Sequence, residues 1–418
     1  MTLRANQLAG LAQAIGMLGT LHAPADAQLH RFFRDHPQMG QQDRAFVAEG
    51  AFAWLRRRRS LQTLANTAAT GRLALAVAVR ELGHSVRELE ALISTADVAW
   101  LRDFKGRLAT PLPDAVVYDL PDWLWERMVE AYGEEEARAL ARSLAQAAPL
   151  DIRVNPLRST REAAQSALAE SGIDAALTPY SPLALRLSGR PALNRHPSFI
   201  AGAFEVQDEA SQLVGWLVAP KRNDMVVDFC AGSGGKSLLL GALMRSQGRV
   251  YAFDVSEKRL ANLKPRLARS GLSNVHPQLI AHERDTRVKR LAGKIDRVLV
   301  DAPCTGFGTL RRNPDLKWRQ TPHGVAELAV KQAAILRAAS GLVKPGGRLV
   351  YATCSILPDE NERIVEAFVA ERAEFSVTSA SDELARAGIA LDTGAMLRVY
   401  PHRHGCDGFF AAVLTRAA

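Results

Sequence analysis

Two cysteines offer the plainest chemistry in this sequence. They stand in Asp301-Ala302-Pro303-Cys304 and in Tyr351-Ala352-Thr353-Cys354-Ser355, each closing an apolar run with the texture of a buried strand. A thiolate is a strong nucleophile that divides one hard step into easier ones through a covalent intermediate. The commoner fate of any single free cysteine is that of a small buried hydrophobe. Two of them at equivalent strand ends point instead to a shared task. If the two strands are neighbours, they lie about 4.8 Å apart and both loops emerge at one rim. An ordinary thiol, with a pKa of about 8.5, is only a few per cent thiolate near pH 7. A second polar group must therefore handle protons, and the other cysteine, Asp301 or Lys236 could do so.

A ligand site is written upstream. Asp228-Phe229-Cys230-Ala231-Gly232-Ser233-Gly234-Gly235-Lys236-Ser237 follows one predicted strand and opens a helix. Its glycines allow a tight turn and let backbone N–H groups approach a ligand at the helix start. The turn is not a P-loop, because Cys230 stands where that motif needs Gly. It also misses the dinucleotide fingerprint, because Ser237 stands where Gly or Ala is required. Asp254 ends the next strand, about 20 residues on, where a carboxylate can accept from ribose hydroxyls. Asp285 follows the third strand and Asp301 ends the fourth. Any one of these could merely cap a helix, but together they line the rim where open α/β sheets bind ligands. Several carboxylates without a phosphate-binding Lys/Arg cluster favour a nucleoside carrying a positive centre. S-adenosylmethionine, a sulfonium, fits; NAD and ATP fit less well.

Alternating strands and helices must position these groups. From Asp224 the pattern reads Met225–Phe229, a helix, Arg249–Phe253, a helix over Ser256–Ser270, and Pro277–Ala281. Arg297–Val300, a long helix over Val325–Leu342, Arg348–Ala352 and a helix over Asp359–Glu371 complete it. Such alternation predicts a parallel, doubly wound, Rossmann-like sheet. Met396–Tyr400 and Gly408–Leu414, joined by a short His/Gly/Asp-rich link, predict an antiparallel hairpin on the sheet edge. His402 and His404 in that link read as turn residues. Residues 151–187 predict a small α/β module. Before Pro113 the apolar residues keep helical spacing, as in Leu8, Leu11, Ile15 and Leu18, which predicts an all-helical domain. Two further helices, Asp122–Ala131 and Glu134–Ala147, precede Pro149.

Composition sets the limits. At 418 residues the chain exceeds what one core holds, and 47% hydrophobic with 23% charged residues excludes a largely disordered chain. A net charge of +9 leans toward a polyanion such as nucleic acid. The four cysteines form no CxxC pair, which excludes a disulfide scaffold and argues against structural zinc, so no metal is expected. No apolar run reaches the roughly 18 residues of a membrane span. The start does not read as a signal peptide, so a reducing cytoplasm is the expected address.

The stretch from Pro149 onward resembles the Sun/NOP-type RNA cytosine-5 methyltransferases, and most closely the bacterial 16S ribosomal RNA enzymes of the RsmB type. The resemblance is carried by Phe204-Glu205-Val206-Gln207-Asp208-Glu209-Ala210-Ser211, the Asp228–Ser237 turn, Asp301–Cys304, Arg311-Arg312-Asn313-Pro314-Asp315-Leu316-Lys317-Trp318, and Tyr351–Ser355. It implies S-adenosylmethionine as cofactor, held by Cys230, Ala231, Gly232, Ser233, Gly234, Gly235 and Lys236, with Asp254, Asp285 and Asp301 as separate acidic contacts. It implies Cys354 as nucleophile and Cys304 as the residue that assists product release; spacing alone leaves that choice open. The reaction implied is thiolate addition to C6 of a cytosine, attack of C5 on the sulfonium methyl, loss of the C5 proton and expulsion of the thiolate. The chain departs from the family's Ala-Pro-Gly-Gly-Lys-Thr by placing Ser233 where the proline stands, which loosens the turn. The helical start resembles NusB-like RNA-binding domains through Asp43-Arg44-Ala45-Phe46-Val47 and Trp54-Leu55-Arg56. The expected organisation is a NusB-like domain over 1–115, a connector and α/β module over 116–215, and the methyltransferase domain over 216–418. RNA is the expected partner, 16S ribosomal RNA or its precursor particle before tRNA, and the protein is expected to be a monomer. Arg311, Arg312, Lys317, Trp318 and Arg319 read as RNA contacts, whereas Arg56 to Arg59 read as a solvated helix end. The rival from another class is an RNA-binding assembly factor without catalysis.

Overall fold

The computed structural model describes residues 3–418, so the first two residues of the expected helical domain lie outside it. The chain forms two compact units. One comprises Met1–Ala147 with Thr309–Gln320, the other Ala148–Gly308 with Thr321–Ala418.

Among its described residues the first unit holds helices and turns and no strand, as expected. Its helices bury residues three and four apart: Leu11, Ile15 and Leu18 from Ala5–Gly19, and Val47, Ala51, Trp54 and Leu55 from Gln41–Arg56. The sequence punctuates them by capping. Ser85 and Glu88 form a reciprocal capping box, and Ser94 caps the helix Thr95–Arg107. The helices Asp122–Tyr132 and Glu134–Leu144 belong to this unit.

Thr309–Gln320 also packs here, and this changes the reading of its basic residues. The helix Gln41–Arg56 ends with carbonyls that lack helical donors. Lys317 Nζ donates to Arg56 O at 2.9 Å and Trp318 Nε1 to Leu55 O at 2.9 Å. Lys317 is 3% exposed and Arg311 5%. They are parts of a core, which corrects the expectation that they present cations to RNA. The Arg56–Arg59 run is not a solvated helix end either. The chain breaks at Arg57 between the helices Gln41–Arg56 and Arg58–Ala65, so the four side chains leave in different directions. Arg56 donates to Arg311 O, Arg57 lies beside Glu81 and Asp119, Arg58 lies over the Trp54 and Trp318 rings, and Arg59 pairs with Asp122.

The second unit carries two sheets. The smaller is antiparallel throughout, from β1 (Leu150–Val154), β2 (Ala175–Leu177), β3 (Ala184–Leu187) and β4 (Phe204–Val206) in the order β2-β3-β1-β4. The helix Arg161–Glu170 covers it through Ala164 and Leu168. The larger sheet takes β5 (Met225–Asp228), β6 (Arg249–Asp254), β7 (Val275–Leu279), β8 (Ile295–Asp301), β9 (Val343–Thr353), β10 (Phe375–Thr378), β11 (Leu397–Val399) and β12 (Phe409–Arg416). Its order is β10-β12-β9-β8-β5-β6-β7, with β11 also on β12. Strands β5 to β9 pair in parallel and β12 runs antiparallel to β9. This is the expected Rossmann-like α/β fold with a small α/β module and a helical N-terminal region.

One detail differs. The C-terminal strand is interior: β12 inserts beside β9, and β10 and β11 share its outer edge. Its burial explains the position, since Phe410 to Leu414 are all at most 1% exposed, a pattern for a strand covered on both faces. The link to it contains a helical turn, Pro401–His404.

Candidate active site

The order of winding reverses between β5 and β8, and at such switch points an open sheet leaves a crevice at its carboxyl ends. Asp254, Asp301 and both cysteines fall at the carboxyl ends of β6, β8 and β9 beside the glycine turn after β5, whereas Asp285 follows the edge strand β7. β8 and β9 are adjacent and parallel with Asp301 opposite Ala352, so both cysteine loops leave the same rim. Cys304 Sγ and Cys354 Sγ are 3.3 Å apart, and both residues are partly exposed. Neither is sealed in hydrocarbon. The hydrogen bond to Cys354, together with burial, holds the Cys304 thiol well above the ordinary thiol range. The two sulfurs face each other, and either can donate the hydrogen they share. A second bond joins the loops, from Gly308 N–H to Cys354 O at 2.9 Å. Gly408 N–H in turn donates to Gly308 O at 2.9 Å, in an approach so close that a Cβ on Gly308 would lie 2.0 Å from Gly408 O.

The glycine turn joins β5 to the helix Gly235–Leu243. Gly232 and Gly234 adopt φ of +58° and +80°, conformations that suit glycine. A Cβ on Gly234 would lie 2.1 Å from Leu263 Cδ1, whereas the space over Gly232 is open. Two arginines hold the turn from outside. Arg266 donates to Ser233 O at 2.7 Å and Arg153, from β1, to Gly235 O at 2.6 Å. These bonds tie the carbonyls of the turn to the small sheet and to the helix Glu257–Ser270. They also give the Phe204–Ser211 motif a physical role: Glu205 pairs with Arg266 and Arg269, and Gln207 accepts from Arg153.

The carboxylates divide by what they already hold. Asp254 is 4% exposed and accepts from Gly232 N–H at 2.8 Å and Ser256 N–H at 2.7 Å, so it is oriented by the turn it faces. Asp301 pairs with Lys236 at 2.8 Å, and Lys236 lies over the Phe409 ring at 4.9 Å. Asp285 accepts from Ala281 N–H and Arg287 N–H, 2.9 and 2.8 Å, capping the short helix Thr286–Lys289. Cys230 is a thiol raised by burial and by Asp228, Asp301 and Asp254. Asp228, the carboxylate that ends β5, is 1% exposed and accepts from Ser237 Oγ at 2.6 Å; burial raises it to about 7. An open-faced glycine turn, a helix start and oriented carboxylates fit an uncharged ribose with a cationic centre. Among the described residues no group of three or more His, Cys, Asp or Glu is disposed to hold a metal ion, and no helix is long and apolar enough to cross a membrane.

Comparison with known proteins bears on this geometry. The model for "16S rRNA methyltransferase RsmB/F" matches residues 215–415, and that for the "Methyltr_RsmF/B-like, ferredoxin-like domain" matches 120–194. Ribosomal RNA small subunit methyltransferase B of Shewanella oneidensis is 34% identical over 81% of this chain and 78% of its own. The chain belongs to the RsmB/F methyltransferase family. Its cofactor is S-adenosylmethionine, as the rim chemistry implied. A Synechocystis protein described as "Probable ribosomal RNA small subunit methyltransferase B" is 37% identical over 72% of this chain and 67% of its own. The Bacillus subtilis counterpart is 34% identical, the match spanning 65% of its length. Among solved structures, the crystal structure of PH0851 superposes with a TM-score of 0.79, at 26% identity, over 99% of both chains. A methyltransferase homolog protein from Pyrococcus horikoshii gives 0.62 at 26% identity, over 72% of this chain and 97% of its own.

Proposed function

We propose that this RsmB/F-family methyltransferase methylates C5 of a cytosine in 16S ribosomal RNA through a covalent bond between Cys354 and cytosine C6. The observation that carries the reading is the pair of sulfurs 3.3 Å apart at the ends of adjacent parallel strands. Cytosine C5 is a poor nucleophile until a thiolate adds to C6 and returns electron density to C5. S-adenosylmethionine, when bound, supplies an electrophilic methyl group. Cys230 to Lys236, Asp254 and Asp301 hold the cofactor, with Asp285 as a further acidic contact. Cys304, its sulfur 3.3 Å from that of Cys354, assists release: a base takes the C5 proton, those electrons form the C5–C6 double bond, and the C6–sulfur electrons return to Cys354 as the thiolate. A base paired or stacked in RNA must be exposed to reach Cys354. We assign residues 216–418 to catalysis, the cytoplasm as location and the monomer as the working state.

Bisulfite sequencing of total RNA with and without the gene tests the reading. Loss of 5-methylcytosine at a 16S position on deletion is expected. Loss confined to tRNA would move the substrate, and an unchanged methylation map, with no cofactor binding by calorimetry, would leave a non-catalytic assembly factor.

A further inference from the structure

Glu360 is 0% exposed and ends the turn Pro358–Glu360, close behind the Cys354 loop. Its carboxylate accepts from Thr305 N–H at 2.8 Å, Thr305 Oγ1 at 2.6 Å and Gln332 Nε2 at 3.0 Å, and from the Ser355 hydroxyl. Thr305 and Ser355 directly follow Cys304 and Cys354. The same Gln332 amide donates to Pro303 O at 2.9 Å, the Tyr351 hydroxyl to Glu360 O at 2.7 Å, and Asn361 Nδ2 to Ser355 O at 3.1 Å. Four donors occupy the lone-pair sites of one carboxylate. An amide in its place would either set its NH2 against the Thr305 and Gln332 N–H groups or oblige the Thr305 and Ser355 hydroxyls to reverse from donor to acceptor.

We propose that Glu360 is a positioning residue for methyl transfer: one buried carboxylate fastens the loop after each cysteine and thereby sets the separation and alignment of the two thiols. It touches neither sulfur and acts through Thr305 and Ser355. The proposal rests on the methyltransferase reading for its effect on turnover, though not for its effect on the thiols.

The test compares wild type with Glu360→Gln, counting competent molecules by calorimetric titration with S-adenosylmethionine. Per competent molecule, kcat on 16S RNA is expected to fall about 100-fold while KM for RNA and cofactor affinity stay within about two-fold, since small misplacements at a reacting centre act on the chemical step. A residue with only a structural role would reduce the number of competent molecules and leave kcat per molecule unchanged, and that result would overturn the proposal. If Glu360→Gln binds no cofactor, Thr305→Val is read in the same way, with roughly a ten-fold loss in kcat expected for one deleted hydroxyl bond; wild-type kcat there overturns it. Diamide, which removes two hydrogens from a thiol pair to leave a disulfide and its own hydrazine, reads alignment without RNA. Peptide mapping should find the Cys304–Cys354 cross-link forming at least ~10-fold faster in wild type than in Glu360→Gln. Equal rates overturn the positioning role, whatever the RNA assay gives. A slowed variant beside a wild type that transfers no methyl would overturn the methyltransferase reading alone.

Discussion

At the scale of single residues the site is built from pairs that differ in duty. Cys354 and Cys304 share a hydrogen bond, and that bond together with burial pushes the Cys304 thiol up. By the roles proposed for them, removing each should fail differently. Cys354→Ala should abolish methyl transfer and leave cofactor affinity unchanged, because no bond to C6 can form. Cys304→Ala should allow the bond and slow its breakage, so that a protein–RNA adduct migrates above the free protein on a denaturing gel. Turnover at the wild-type rate with no adduct would remove Cys304 from the release step. Gly234 gives a prediction of another kind. A methyl group there meets Leu263 at 2.1 Å in a backbone of φ +80°, so Gly234→Ala should lower S-adenosylmethionine affinity at least ~10-fold, measured by calorimetry. Gly232 also has positive φ, but space lies open around it, so Gly232→Ala should cost less.

At the scale of elements, the segment Thr309–Gln320 does unexpected work. It places a lysine in an apolar core, where burial lowers Lys317 to about 7 from about 10.4 in an unfolded chain. Between those values the unfolded state binds more protons than the folded state, so stability rises with pH. Asp119, raised by the same burial, acts in the opposite sense, its contribution falling as pH climbs from the usual carboxylate range through its own raised value. Comparison with Lys317→Met reads the lysine together with its coupling to Asp119. The melting temperature of the helical unit in wild type should climb between about pH 7 and 9.5 more steeply than in the variant; parallel curves would refute the assignment. The sequence announces the sheet that carries the site, because β5, β6, β8 and β9 are apolar runs separated by helical spacing, and it places the rim because Asp254, Asp301 and both cysteines fall at their ends. The partners of Lys317 and Trp318 stay hidden from any local pattern: they are backbone carbonyls at Arg56 and Leu55, some 260 positions away. A basic segment next to an aromatic reads as an RNA contact in sequence and becomes a helix cap in space. Glu360 was silent for a related reason, since its donors come from Thr305, Gln332 and Ser355 on three separate segments.

At the scale of the whole molecule, the helical unit is discontinuous in sequence, and this has a measurable thermodynamic consequence. Residues Met1–Ala147 hold a core of their own around Leu11, Trp54, Leu55, Leu61 and Phe104, but their unit is closed by Thr309–Gln320. Without that segment the carbonyls of Leu55 and Arg56 lose their donors, and Ala25 N–H loses Asp315 Oδ2 at 3.3 Å. Uncovered, these groups meet water, so each lost bond costs its net of about 0.5–1.5 kcal/mol; at about 2–4 °C per kcal/mol for a unit of this size, three such losses should lower the fragment's melting temperature by roughly 3–18 °C. A fusion of residues 1–147 through a flexible Gly/Ser linker to 309–320 should recover that difference, and the same fusion carrying Trp318→Ala should lose part of it. Scanning calorimetry of the three proteins decides the matter. If the fragment and its fusion melt together, the segment is a passenger on the helical core, and its lysine and tryptophan return to the list of groups available to RNA.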